Sequence, residues 1–228
     1  MKLISIQVAL FASNLISRPD KLKDAIEQKM GGKYFDAMPL ILNLPNDAPA
    51  DLPIVQAKST NGKYSLNLSR KRLDFAITPD FDANDDPHTA FSVYKSTIEK
   101  YCKAALSEID FNRIGIVITL FEEAESNIHA IFQKYLKTPF NPNYVETNVR
   151  FNYLKKAKGL TLNNIRIIET GDLHIDRNGV GEDKKGVVIQ LDTNNVPGIQ
   201  ICLTMDNILT VIAAAIKNLE PEEIKEMI

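Results

Sequence analysis

Apolar and polar residues alternate from the start of the chain. Ile4, Ile6, Val8 and Leu10 are interleaved with Ser5 and Gln7, the period of two that marks a half-buried strand. Lys2 ahead of an apolar run also fits a secretory leader, but the alternation favours the strand. Ser17-Arg18-Pro19-Asp20 then has the form of a helix start, with Ser17 as cap, Pro19 in the first turn and Asp20 at the capping-box position. Leu22, Ala25, Ile26 and Met30 supply the apolar stripe, and Gly31-Gly32 ends the helix. Residues 38–53 are rich in Pro, Asn and Asp and read as a long connection, with a short strand at Leu40–Leu42.

Asn61-Gly62 between two alternating runs is a strong hairpin signal. A two-residue turn there sets Ser59 opposite Tyr64, Ala57 opposite Leu66 and Val55 opposite Leu68. Lys58 then meets Ser65, and Gln56 meets Asn67, on the polar face. A slip by one residue would undo that sorting. The apolar parity changes at Leu73, Phe75 and Ile77, which places a turn at Ser69–Arg72. A long helix follows from Pro87 to about Ile109, with Phe91, Tyr94, Ile98, Tyr101, Cys102 and Ala105 spaced by three and four.

The pattern then restarts. Ile114, Ile116, Ile118 and Leu120 alternate as a strand, and Ile128, Ile131, Phe132, Tyr135 and Leu136 make a helix. Val145 to Tyr153 alternate again, and a turn at Lys158-Gly159 leads into Ile165, Ile167, Leu173 and Ile175. After Asn178-Gly179 the alternation resumes at Val187, Ile189 and Leu191, with a further short strand at Ile199–Leu203. A final helix runs from Met205 to Leu219, its Val211–Ala215 region apolar on most of its circumference. Ile6-x-Val8-x-Leu10-Phe11 matches Ile116-x-Ile118-x-Leu120-Phe121 at an offset of 110. Both parts read strand, helix, three strands, helix. The expected fold is therefore α+β: tandem duplicated βαβββα units, 1–110 and 111–228 around one shared core, forming a curved antiparallel sheet with helices on one face.

Three short stretches resemble a family of sporadically distributed bacterial proteins with no established activity. They are Lys63-Tyr64-Ser65-Leu66 through Leu73-Asp74-Phe75 with the helix aromatics Tyr94 and Tyr101, Asn112-Arg113-Ile114-Gly115-Ile116, and Gln190-Leu191-Asp192 before a long helix. Val117 and Thr119 stand where that family more typically has an aromatic residue and Asn. The resemblance implies a bacterial cytosolic protein, and the family's scattered occurrence implies an accessory role such as defence or toxin neutralisation.

The 228 residues carry 44% apolar side chains and a net charge of −2. A core is affordable at that size, and no global attraction to nucleic acid or anionic membrane follows. Cys102 and Cys202 are isolated, which fits a reducing compartment. No run is long and apolar enough for a membrane helix. Asp172-x-His174-x-Asp176 and the acidic stretch Asp80–Asp86 both miss the spacing of a calcium loop. They read as the polar face of a strand and a helix-capping loop, so neither a metal nor a cofactor is expected.

The binding candidates are basic. Arg70, Lys71 and Arg72 occupy one turn, while Arg150, Lys155 and Lys156 lie near another, and each set is either a solubilising turn or a phosphate contact. Arg113 opens an otherwise apolar strand and pairs with Glu108 or Asp110, or holds a ligand. P-loop, nucleotide-binding, nucleophile-elbow and zinc-protease signatures are missing. The sequence therefore favours a non-enzymatic binding or regulatory protein acting through a protein partner or as a homo-oligomer. Nucleic-acid binding through the basic turns is the alternative, followed by a cryptic enzyme or small-ligand binder.

Overall fold

The computed structural model describes residues 1–45, 47–82, 86–124, 133, 146–177, 180–196 and 201–220. Among them the elements are β1 (Lys2–Ala12), α1 (Pro19–Met30), β2 (Leu40–Ile41), β3 (Val55–Lys58), β4 (Tyr64–Leu68), β5 (Arg72–Ile77), α2 (Pro87–Leu106), β6 (Phe111–Glu123), β7 (Asn148–Ala157), β8 (Leu160–Arg177), β9 (Val180–Asn195) and α3 (Met205–Lys217). The strands form one antiparallel sheet in the order β2-β3-β4-β5-β1-β6-β9-β8-β7. The fold is thus α+β with a large antiparallel sheet and three described helices. The expected helix around residues 128–136 and the break at Asn178-Gly179 lie outside the described residues.

Helix ends follow local chemistry. Asp86 caps α2 by accepting from the Thr89 backbone N–H at 2.9 Å, and that bond with the Thr89 hydroxyl holds its carboxyl below the ordinary value. Thr204 and Asn207 form a reciprocal capping box on α3. At α1 the cap is Arg18 rather than Ser17. Asp20 turns back to that guanidinium, accepting from Nε at 3.0 Å and Nη2 at 2.6 Å, so the box does not form. Gly31, at φ +94°, closes α1 in the left-handed conformation.

The β3–β4 register is the one the pattern requires, with Val55 opposite Leu68, Ala57 opposite Leu66 and Lys58 opposite Ser65. The turn differs. Gly62 alone has positive φ, its N–H donates to the Ser59 carbonyl at 3.0 Å, and Ser59 N–H donates to the Tyr64 carbonyl at 2.8 Å. The connection is a four-residue loop, and the Asn61 amide oxygen, accepting from Ser59 Oγ and Lys63 N, holds it.

Ile6, Val8 and Leu10 of β1 and Ile114, Ile116 and Ile118 of β6 are fully buried, as are Leu73, Phe75 and Ile77 of β5. Each such side chain contributes about 1.5–3 kcal/mol through burial. Helix α2 packs on β1, α3 packs on β6 and β9, and α2 touches both α1 and α3. Gly186 of β9 permits close approach to β6, since a Cβ there would lie 2.3 Å from the Glu122 carbonyl oxygen.

Three expectations fail. On β8 the buried positions are Leu160, Leu162, Asn164, Arg166 and Ile168, whereas Ile165 and Ile167 lie half-buried on the other face. Pairing with β9 decides this: Asn164 lies opposite the buried Thr193 and Arg166 opposite the buried Leu191. Helix α3 buries a single stripe (Ile208, Val211, Ile212 and Ala215, with Thr210), while Leu209 and Ala213 are exposed. Residues 201–204 are irregular rather than strand.

Tyr101 is fully buried, 4.7 Å from Phe75 between ring centroids, and its hydroxyl has no hydrogen-bond partner among the described residues. A buried donor without an acceptor costs about 1–3 kcal/mol. Tyr101→Phe is therefore expected to stabilise the fold by about 1 kcal/mol, read as a higher urea midpoint at unchanged slope. A lower midpoint would mean that the hydroxyl is satisfied in solution.

Candidate functional site

Side chains that alternate with the buried set emerge on the opposite side of the sheet, where charge gathers. Phe11 on β1 stands between Arg72 on β5 and Arg113 on β6. Their guanidiniums lie 5.1 and 4.7 Å from its ring centroid, a cation–π arrangement on both flanks. Arg72 also pairs with Asp74 at 2.6 Å, and Asp74 accepts from Gln7 Nε2 at 2.8 Å. Arg113 Nη2 reaches Asn194 Oδ1 at 3.3 Å, and Asn194 Nδ2 donates to Asp192 at 2.9 Å. The Arg113 partner is thus across the sheet. Glu108 instead pairs with Lys29, and Asp110 receives the Cys202 thiol.

The basic turns fall at one end of the sheet. Phe11 pairs with Arg72 and Arg113 there, and Lys155 pairs with Leu162, which pairs with Asn195. Five inter-strand steps, about 24 Å, separate β5 from β7. Individual residues differ in availability. Arg70 donates to the Ala48 carbonyl and so ties down a loop. Lys71, Arg150, Lys155 and Lys156 are exposed. Of the seven basic candidates, Arg72 and Arg113 share the Phe11 ring, while Arg150 is close enough to Asp192 to favour its ionised form.

A cleft opens between the β7–β8 hairpin and α3, with a volume of about 250 Å³. Its walls are Ala157, Leu162, Ala213 and Ala214, Lys155, Lys158 and Lys217 bring charge to it, and Asn164 and Asn218 line it as well. Lys158 holds the hairpin turn at φ +43°, followed by Gly159 at +84°. Beside the cleft is a buried polar network. Asn218 Nδ2 donates to Asn164 Oδ1 at 2.9 Å and to Thr193 Oγ1 at 2.8 Å, and Arg166 Nη2 donates to Tyr153 Oη at 2.8 Å. Sequence reading missed this network, because Asn164 and Arg166 sit beside Ile165 and Ile167 and read as the polar face. The in-register Leu160, Leu162 and Ile168 were the available signal.

The Asp172-x-His174-x-Asp176 run lies on a strand. Asp172 and His174 lie within β8, and His174 Nδ1 contacts Asp183 Oδ1 of the opposing strand at 2.6 Å. Among the described residues no group of three or more His, Cys, Asp or Glu is placed to hold a metal ion, and no helix is long and apolar enough to cross a membrane. Burial pushes the buried Cys102 thiol well up, away from reactivity. No protein-family model matches the chain, and no curated protein matches it.

Burial raises the Asp192 carboxyl above its ordinary value, against the Asn194 hydrogen bond and the charges of Arg113, Arg150 and Arg72. A carboxyl raised in the folded state stabilises the protein at low pH and loses that contribution as pH rises through the folded value. Asp192→Asn keeps an amide oxygen for Asn194 and cannot ionise. Its stability relative to the parent is expected to climb from about pH 3 to pH 7, followed by denaturant unfolding across that range. A flat or falling difference would show that the arginines, not burial, govern Asp192.

Proposed function

We propose that this is a non-enzymatic binding protein of the bacterial cytoplasm that acts through a protein partner, with the sheet edge at β2 as its docking strand. One observation carries the reading. The edge run Met38-Pro39-Leu40-Ile41-Leu42 has no charged residue and is open to solvent, with Met38 92% and Ile41 57% exposed. Leu42 N–H donates to the Ile54 carbonyl at 2.8 Å, so alternation turns the Ile41 N–H and C=O outward, toward an incoming strand. Adding a strand to such an edge is a recurring mode of peptide recognition. The opposite edge, β7, carries Arg150, Lys155 and Lys156, the charges that normally keep edges from pairing.

The scaffold itself is read as a tandem duplication, with helices on one face. The strand order is the same on each side of the β1–β6 pair: β5, β4, β3 outward from β1 and β9, β8, β7 outward from β6. The register supports the offset of 110 independently. Gln7 pairs with Val117, Ile6 with Ile118 and Val8 with Ile116, as a twofold axis through the Gln7–Val117 pair requires. Residues 1–110 alone would leave β1 as an open apolar edge, and are expected to aggregate or remain molten. A monomeric, cooperatively unfolding half would count against one shared core.

The basic end of the sheet favours a second reading, contact with nucleic acid, weakened by Asp74 and Asp192 among the arginines. Affinity capture from source-cell lysate, with and without nuclease, separates the two. A protein retained after nuclease and lost with Ile41→Pro supports strand addition. Loss of every partner on nuclease treatment supports the second reading and overturns the first, and a concentration-dependent dimer by sedimentation, abolished by Ile41→Pro, would make the partner a second copy.

A further inference from the structure

From the edge at β2 we infer that the occupant of the docking strand is a second copy of this chain, the two β2 strands pairing antiparallel about a twofold axis with Ile41 against Ile41. The inference rests on the reading of β2 as a docking strand and names its partner. Of the nine exposed large apolar side chains among the described residues, Met38, Leu40, Ile41 and Leu42 fall within five positions of one another. Four such groups together form a patch rather than the scatter of single residues found on any surface.

The backbone is self-complementary. Leu40 pairs with Gln56 and Ile41 with Val55, and the Leu42 N–H donates to the Ile54 carbonyl. Ile41 therefore carries both an outward donor and an outward acceptor. Two copies meeting about a twofold axis at this residue exchange both bonds between Ile41 and Ile41.

The side chains sort in the same register. Leu40 shares a face of the sheet with Gln56, and Ile41 shares the other with the buried Val55. Across the axis each Leu40 lies opposite the other copy's Leu42, giving a row of four leucines, while the two isoleucines meet on the reverse side. The edge is apolar on both faces, so its occupant must be apolar on both faces too. A strand with one face in water alternates instead, whereas β2 itself meets the requirement.

Charge permits the contact and limits it to two copies. Residues 37–46 include no charged group, so identical edges approach without repulsion. Asp36, just before them, is held aside by the Thr60 N–H at 2.7 Å and hydroxyl at 2.8 Å. Pairing of β2 with the β7 edge of another copy would run on as a filament, and Arg150, Lys155 and Lys156 oppose it. An isologous β2 pair closes as a dimer. It uses few residues a side, against about 20–30 in a standard interface, so a dissociation constant on the order of 10–100 µM is expected.

The test is sedimentation velocity of the full chain from about 1 to 300 µM, across which monomer is expected to give way to dimer. Ile41→Lys and Ile41→Glu each set like charges directly across the axis and are expected to weaken the dimer at least about tenfold. An equimolar mixture of the two sets Lys against Glu and is expected to associate about fivefold more tightly than either alone. Should either variant fail to fold, Ile41→Pro, which removes only the outward N–H, decides by abolishing the dimer. Val93→Lys, at an exposed site on α2, is expected to leave it unchanged. A monomer at every concentration, a dimer indifferent to Ile41, a mixture no tighter than its components, or a dimer lost with Val93→Lys would overturn the inference. A monomer that still captures a different protein through Ile41 overturns self-pairing alone, whereas a monomer that captures none overturns the docking strand with it.

Discussion

The structure depends on one pairing, that of β1 with β6. Ile6 against Ile118, Val8 against Ile116 and Leu10 against Ile114 put six buried aliphatic side chains at the middle of the sheet. Everything else attaches to that pair. Strands β5 and β9 add to its outer edges, α2 lies against β1, and α3 lies against β6 and β9. The partners are more than a hundred residues apart in sequence, so the central contact closes a long loop and is costly to form first.

The same pair shapes the charged face. Ala9 lies opposite Gly115, and a Cβ on Gly115 would sit 3.4 Å from Asn194 Cβ. Two small residues at the centre leave room for the long side chains around them to fold inward. Arg72 and Arg113 close on Phe11 from the neighbouring row, and Asn194 bridges Arg113 to Asp192. With each arginine near an acid or an amide, this cluster is largely self-satisfied.

Much of the fold was legible because its signals are local. The β3–β4 register follows from the polar and apolar sorting of ten residues, and the α2 stripe follows from spacing alone. The face of β8 was not legible, since apolar residues fall on both parities, Leu160, Leu162 and Ile168 against Ile165 and Ile167. Only pairing with Thr193 and Leu191 of β9 decides between them. The partner of Arg113 lies 81 residues away, beyond any argument from neighbouring carboxylates. Among the seven basic candidates, sequence could identify the charges but not that Arg70 is engaged by a loop carbonyl while Lys155 overlooks a cleft. The short strand at Leu40–Leu42 was legible, and β2 forms at Leu40–Ile41; its place at the edge of the sheet was not, because that depends on pairing with β3 alone.

The two sheet edges are built on different physical terms. Strand β7 is long and basic, and a second strand approaching it would have to bury or displace the charges of Arg150, Lys155 and Lys156. Strand β2 is two residues long and flanked by Pro39 and Pro45. Proline cannot donate to a ladder, so any strand added at β2 is confined to the few residues between them. That confinement suppresses open-ended pairing of copies while leaving Leu40, Ile41 and Leu42 exposed. A short apolar edge closed at both ends limits the length of a partner segment, and its selectivity must then come from side chains that fit the three exposed aliphatics rather than from backbone pairing, which any extended peptide can offer.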